Sequence, residues 1–230
     1  ICVTGAFDGN IRIWDASKSS LLITLKEHGS SINSLFFTPN GSKLFSADSK
    51  GTIKIWEDTL YTRGLMSEKQ NKQMNNNNSN KNSITGLMNE VGLKSKYTST
   101  TTGTGDQLSS TIATRFQCYH TIIDERLIDQ SITCVRYHAR PERFIVYCRN
   151  NSAYLFSLLR YDIRKTLAGI PCRSHNLRGC ISPDGDIFVA GGEDGKAYFY
   201  DLKQGTLVDV VDVGYHLPMY DITWHPTQHC

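Results

Sequence analysis

Short runs of alternating apolar and polar residues, separated by turns that carry Gly or Asn, dominate this sequence. The clearest is GSKLFSADSKGTIKIWE at 41–57, where Lys43–Ala47 and Thr52–Trp56 flank a turn at Asp48–Gly51. In the second run Ile53 and Ile55 alternate with Thr52 and Lys54, and Trp56 ends it. Period-two alternation on both sides of a turn predicts a β-hairpin with one buried face. The same hairpin recurs at Cys2–Asp15, turning at Asp8-Gly9, and at Arg143–Ser157, turning at Asn150-Asn151. A fourth copy is Asp186–Asp201, turning at Asp194-Gly195. Their terminal aromatics are evenly spaced: Trp14 and Trp56 lie 42 positions apart, and Phe156 and Tyr200 lie 44 apart. Such a period, with four short strands per unit, predicts the blades of a β-propeller.

Taken in order, the pattern predicts three strands of a first blade at Ile1–Thr4, Ile11–Trp14 and Leu21–Leu25. The second blade begins at His28, with strands at Ile32–Phe37, Lys43–Ala47, Thr52–Trp56 and Phe116–Ile123. A third runs Ile132–Tyr137, Phe144–Cys148, Ala153–Ser157 and Arg164–Leu167. A fourth runs Leu177–Ile181, Ile187–Ala190, Ala197–Tyr200 and Leu207–Val211. MYDITWHP at 219–226 reads as the first strand of a fifth. The expected organisation is blades over 1–57, an inserted segment over 58–114 and blades again over 115–230. Three whole blades and parts of two others leave sheet edges that native proteins close off. The expectation is therefore a piece of a longer chain, whose remaining blades flank this one on both sides.

These residues resemble the WD40 repeat family. The resemblance is carried by RIWD (12–15), KIWE (54–57), His28, and the turns TPNG (38–41) and SPDG (182–185). It implies an all-β fold, a partial WD40 β-propeller of four-stranded antiparallel blades interrupted by a long disordered insertion. It also implies a non-catalytic scaffold for other proteins, and a hydrogen-bonded His–Ser/Thr–Asp–Trp set inside a blade. The matching positions are Thr4, Asp8 and Trp14 in the first blade and His28, Ser46 and Trp56 in the second. There Lys50 stands where the family has Asp. The fourth blade keeps Asp194, with Tyr200 in place of Trp. LLRYDIRKTLAG (158–169), FVAGGEDGKAYFYD (188–201) and YDITWHP (220–226) are similar to the later blades of a ciliary member of the family. That implies a scaffold of the basal body and transition zone, acting in cilium assembly. A generic cytosolic or nuclear adaptor in ubiquitin-ligase, trafficking or RNA complexes shares the same features.

The segment at 58–114 departs from the pattern. It holds QNKQMNNNNSNKNS (70–83) and YTSTTTGTG (97–105), with few β-branched aliphatics and no sustained period. Such a composition buries too little apolar surface to offset the entropy of ordering, and predicts a disordered insertion. Its functional alternative is a docking or regulatory segment. Loop-closure entropy grows only slowly with length, so a blade tolerates such an insertion.

Charge and candidate chemistry narrow the function. Twenty-five Lys+Arg against 22 Asp+Glu give +3, too mild to imply nucleic acid. Arg12, Lys54, Arg136 and Arg143 read as basic residues scattered over outward strand positions. No run approaches a membrane span of about 18 apolar residues. The seven cysteines lack any CxxC and fall mostly in strands, which favours reduced, buried thiols in the cytoplasm. His225, His229 and Cys230 are ligand types without a metal-site spacing. GTG at 103–105 lacks the Lys-Ser/Thr of a phosphate loop, and there is no GxSxG. The glycosylation triplets at Asn40, Asn77 and Asn150 lack a secretory context. No catalytic set, metal or cofactor is expected. His28 and Asp194 read as partners that satisfy buried polar groups. The variable chemistry lies in the turns and links between strands. Arg173, His175, Tyr215 and His216 there are the candidate contacts for partner proteins.

Overall fold

The structure, a computed structural model, describes residues 1–58, 116–138, 142–214 and 216–226. Fifteen strands form four antiparallel sheets, and the described residues contain no helix, hence none able to cross a membrane. The first sheet is three-stranded: β1 (Cys2–Gly5), β2 (Ile11–Asp15) and β3 (Ser20–Leu25). The second holds β4 (Ile32–Phe37), β5 (Lys43–Asp48), β6 (Ile53–Asp58) and β7 (Phe116–Ile122). The third holds β8 (Ile132–His138), β9 (Arg143–Cys148), β10 (Ser152–Ser157) and β11 (Ile163–Ala168). The fourth holds β12 (Gly179–Ile181), β13 (Ile187–Gly191), β14 (Lys196–Asp201) and β15 (Thr206–Asp212).

Each sheet pairs only sequential strands, so all turns alternate between its two ends. The turn between second and third strands shares an end with the link into the next blade, here called the top. At this turn the residue after Asp8, Lys50, Asn150 and Asp194 adopts positive φ: Gly9, Gly51, Asn151 and Gly195. Gly and Asn are the residues that enter this region at least cost. Each turn then grips the link that follows it. Ala6 O accepts Ile32 N (3.0 Å), Lys50 O accepts Asp129 N (3.2 Å), and Asn151 N donates to Cys172 O (3.2 Å). A Cβ at Gly51 would run into the carbonyl of Leu127, so that contact needs glycine.

A second regularity lies beside the terminal aromatic. The pairing of third and fourth strands slips by one residue at Ile13/Trp14, Ile55/Trp56, Leu155/Phe156 and Phe199/Tyr200. An extra residue bends a strand and re-aims its side chains, which is the work of a β-bulge. Beside this slip Trp56, Phe156 and Tyr200 are fully buried, while the first blade's Trp14 is only half-buried.

The core lies between the sheets. Phe45, Ile53 and Ile55 of the second sheet pack on Val135, Phe144, Val146 and Phe156 of the third. Ile145, Tyr147 and Leu155 pack on Phe188, Tyr198 and Tyr200 of the fourth. Ring stacks at Phe144–Phe156 (4.9 Å) and Phe36–Phe45 (4.6 Å) fill this layer.

Three expectations are corrected. Residues 219–226 form no strand: Tyr220 O accepts Arg178 N and Met219 N donates to Gly192 O, and two isolated bonds make no ladder. Arg143 does not face outward. Its guanidinium is buried against the fourth blade, donating to Gly185 O and lying 3.8 Å from Asp186, because β9 is the second strand and both its faces are covered. Cys2 is exposed, whereas Cys134, Cys148 and Cys172 are buried. All of the 58–114 segment except Asp58 lies outside the described residues.

Candidate functional site

The polar residues singled out from the sequence fall into two groups, one buried within blades and one on the top links. In the second blade, the indole N–H of Trp56 donates to Ser46 Oγ at 2.8 Å. Ser46 Oγ lies 2.7 Å from His28 Nε2, and His28 Nδ1 lies 3.0 Å from Asp48 Oδ2. The second Asp48 oxygen accepts the amides of Lys50 and Thr52, each at 2.9 Å. With a proton on Nδ1 and none on Nε2, every donor in this chain finds an acceptor. The His28 and Asp48 side chains are 1% and 2% exposed. Burial pushes the Asp48 carboxyl up, but the donations from His28, Thr52 and Lys50 outweigh it and hold the group below its ordinary value.

Serine, histidine and aspartate at these distances resemble the arrangement that activates a nucleophile. Here the hydroxyl already holds an indole and is closed to solvent, so no substrate carbonyl can reach it. The carboxylate is Asp48, two residues before the family position that Lys50 occupies. The signal was present in the SAD stretch at 46–48, whose Asp also begins the turn.

The other blades fill the same positions differently. Trp14 donates to Thr4 Oγ1 at 2.9 Å, while Asp8 turns to Arg12 at 2.5 Å and to Asn10. Those two bonds, Arg12 first, hold the Asp8 carboxyl well below the usual range. In the third blade Asn150 Nδ2 donates to the Tyr154 hydroxyl at 2.8 Å. In the fourth, the Tyr198 hydroxyl donates to Asp194 Oδ2 at 2.8 Å and the Tyr200 hydroxyl to Ala168 O at 2.6 Å. Four residues beyond the turn Asp, Arg12 and Tyr198 each find that carboxylate, and Tyr154 finds the Asn in its place.

The link from the third to the fourth blade carries two of the four candidate contacts, Arg173 and His175. Its shape is set by Glu193, at the start of the fourth blade's turn, which no sequence motif singled out. Glu193 Oε1 accepts the amides of Arg173 (2.9 Å), Ser174 (2.5 Å) and His175 (2.8 Å), and lies 3.4 Å from His175 Nδ1. Burial opposes its ionisation, but these donations prevail and draw its pKa down to about 2. His175 meets Tyr220 edge-on, with ring centroids 5.6 Å apart. Arg173 is exposed and borders a hollow of about 190 Å³ with Asn151, Gly169, Pro171 and Glu193. His216 is exposed on the following link, and Tyr215 lies outside the described residues.

At the opposite end, a larger hollow of about 290 Å³ sits between the second and third blades. Lys43 Nζ there lies 3.2 Å from the Tyr161 hydroxyl, 3.5 Å from Glu57 and over the ring of Tyr119. Tyr161 has positive φ, as do Ser19 and Gly205 in the matching turns, so turn geometry accounts for its conformation. Among the described residues no group of three or more His, Cys, Asp or Glu is placed to hold a metal; His229 and Cys230 lie outside them.

A family model described as WD domain, G-beta repeat matches residues 19–57 and 171–201. Mouse jouberin is 19% identical over 99% of this chain, which spans 18% of that protein's length. Human pre-mRNA-processing factor 19 is 39% identical over 24% of the chain and 11% of its own length. Protein lethal(2)denticleless of Drosophila melanogaster is 24% identical over 40% of the chain and 12% of its own length. The family model thus matches two stretches of an array of antiparallel blades that share the same turn and bulge, and the chain resembles WD40-repeat proteins there.

Proposed function

We propose that the chain is the docking part of a non-catalytic protein–protein interaction scaffold of jouberin type, acting in cilium assembly at the basal body and transition zone. The observation that carries this is the extent of the likeness. The jouberin alignment runs through nearly the whole chain, whereas the match to pre-mRNA-processing factor 19 covers 54 residues, little more than one repeat. Single repeats cross-match because period, turn and terminal aromatic are shared by the fold itself.

In this reading Thr4, Asp8, Trp14, His28, Ser46, Trp56 and Asp194 serve the blades, and Arg173, His175, Tyr215 and His216 serve the partners. The strands are committed to pairing and the aromatic ends to packing, so recognition falls to the top links. The remaining blades of the same full-length protein complete the ring. A generic cytosolic or nuclear adaptor is the second reading, favoured by the higher identity of the short match.

Tagged full-length protein, imaged in ciliated cells, tests the first reading. Signal at basal bodies, with transition-zone components captured by the same tag, is the expected result. A diffuse signal and capture of unrelated complexes leave the adaptor reading.

A further inference from the structure

We infer that the junction of the third and fourth blades docks an acidic segment of a partner protein, with one carboxylate entering the hollow beside Arg173. This rests on the scaffold reading above and adds the partner's chemistry. Glu193 is the carboxylate nearest the hollow, and one of its oxygens is occupied by three amides and His175. Asp194 accepts the Tyr198 hydroxyl and the Lys196 amide. Asp221 pairs with Arg178 at 3.6 Å. The acidic groups here are therefore engaged in holding the fold.

The arginines are not matched in the same way. Arg149, on the turn of the third blade, donates through Nη1 to Ser174 O at 3.2 Å and has no ion pair among the described residues. Arg173, one residue before that serine, has neither a side-chain hydrogen bond nor an ion pair among them, and its side chain is exposed. Two guanidinium groups thus flank one link, held in place by a carboxylate that ties down the backbone and not the arginines. Arginine presents a planar fork that matches a carboxylate in two parallel bonds. The hollow admits such a group: at Gly169 (φ +98°) an added Cβ would meet only the Tyr200 hydroxyl, at 3.9 Å. Glu193 also lines it, and its negative charge opposes a dianion more than a monoanion. That favours an Asp or Glu side chain over a phosphorylated one.

The probe is a fluorescein-labelled decaglutamate peptide, titrated by anisotropy against the full-length protein at low salt. A phosphoserine peptide and a decalysine peptide are run beside it. Saturable binding of decaglutamate, weakened at least tenfold in Arg173→Ala and progressively by salt, is expected. Arg164→Ala, an exposed arginine on β11 paired with Asp162, should leave binding unchanged. No binding of decaglutamate, equal losses in both variants, or capture of the phosphoserine peptide alone overturns the inference. The scaffold reading is scored separately, by loss of partner capture in an Arg173→Ala/Tyr215→Ala variant. If that loss occurs while decaglutamate is ignored, the surface stands and its acidic specificity falls. If decaglutamate binds through Arg173 while capture survives, the hollow takes carboxylates but the scaffold's partners dock elsewhere, and the inference falls.

Discussion

The second and fourth blades solve the same problem with different residues. Each must hold the top link that enters it. The second blade does so from within, through the buried chain of Trp56, Ser46, His28 and Asp48. His28 belongs to the link itself, so the chain ties link to sheet. The fourth blade has no such histidine and has tyrosines where the second has Trp56 and Lys54. Its link is tied from outside, by Glu193 accepting three amides in a row. A buried tie takes up every polar side chain it uses. An outer tie holds mainly backbone, with His175 beside it, and leaves Arg173 and Ser174 of the link exposed. In the proposed reading, the difference puts rigidity in the second blade and recognition chemistry in the fourth.

His28→Ala should have the largest effect on stability. It strands the Asp48 carboxylate in a closed site and costs about 3 kcal/mol, read from urea unfolding followed by tryptophan fluorescence. A loss within error of zero would mean that the carboxylate is already solvated and the chain is no tie. Glu193→Gln should cost about 1 kcal/mol, since it removes charge from bonds that persist. The sign of its pH dependence follows from a folded pKa drawn down from 4.5 to about 2. The contribution of Glu193 is complete above the ordinary value and is lost as pH falls from about 4.5 toward about 2. The Gln variant should lack that part of the acid-induced loss; an unchanged pH profile would assign the loss to other carboxylates. Lys50→Asp, which restores the family residue, should change stability by about 0.5 kcal/mol or less, because Asp48 already fills the role. A large gain would show that Asp48 is a poor substitute.

The blades were legible because their hydrophobic period and turn chemistry agree in four copies. Gly9, Gly51, Asn151 and Gly195 mark the same backbone position, and Trp14, Trp56, Phe156 and Tyr200 the same bulge. What escaped depends on three-dimensional company. Asp48 was overlooked because the family register assigns the carboxylate to the position of Lys50. Glu193 reads as a solvated turn residue until three amides are seen converging on it. Arg143 alternates like an outward residue, yet the neighbouring blade covers it. MYDITWHP has the alternation of a strand, but pairing requires a partner that two isolated bonds do not supply.

The central claim is that the inner tie serves stability and the outer link serves recognition. One measurement separates them: quantitative affinity capture with full-length wild type, Ser46→Ala and Arg173→Ala/Tyr215→Ala as baits, each with its melting temperature. Ser46→Ala removes the oxygen shared by Trp56 and His28, so it should melt earlier and keep its partners. The double variant should melt with wild type and lose them. Partners lost by Ser46→Ala at a temperature where it is still folded, or kept by the double variant, would contradict the account.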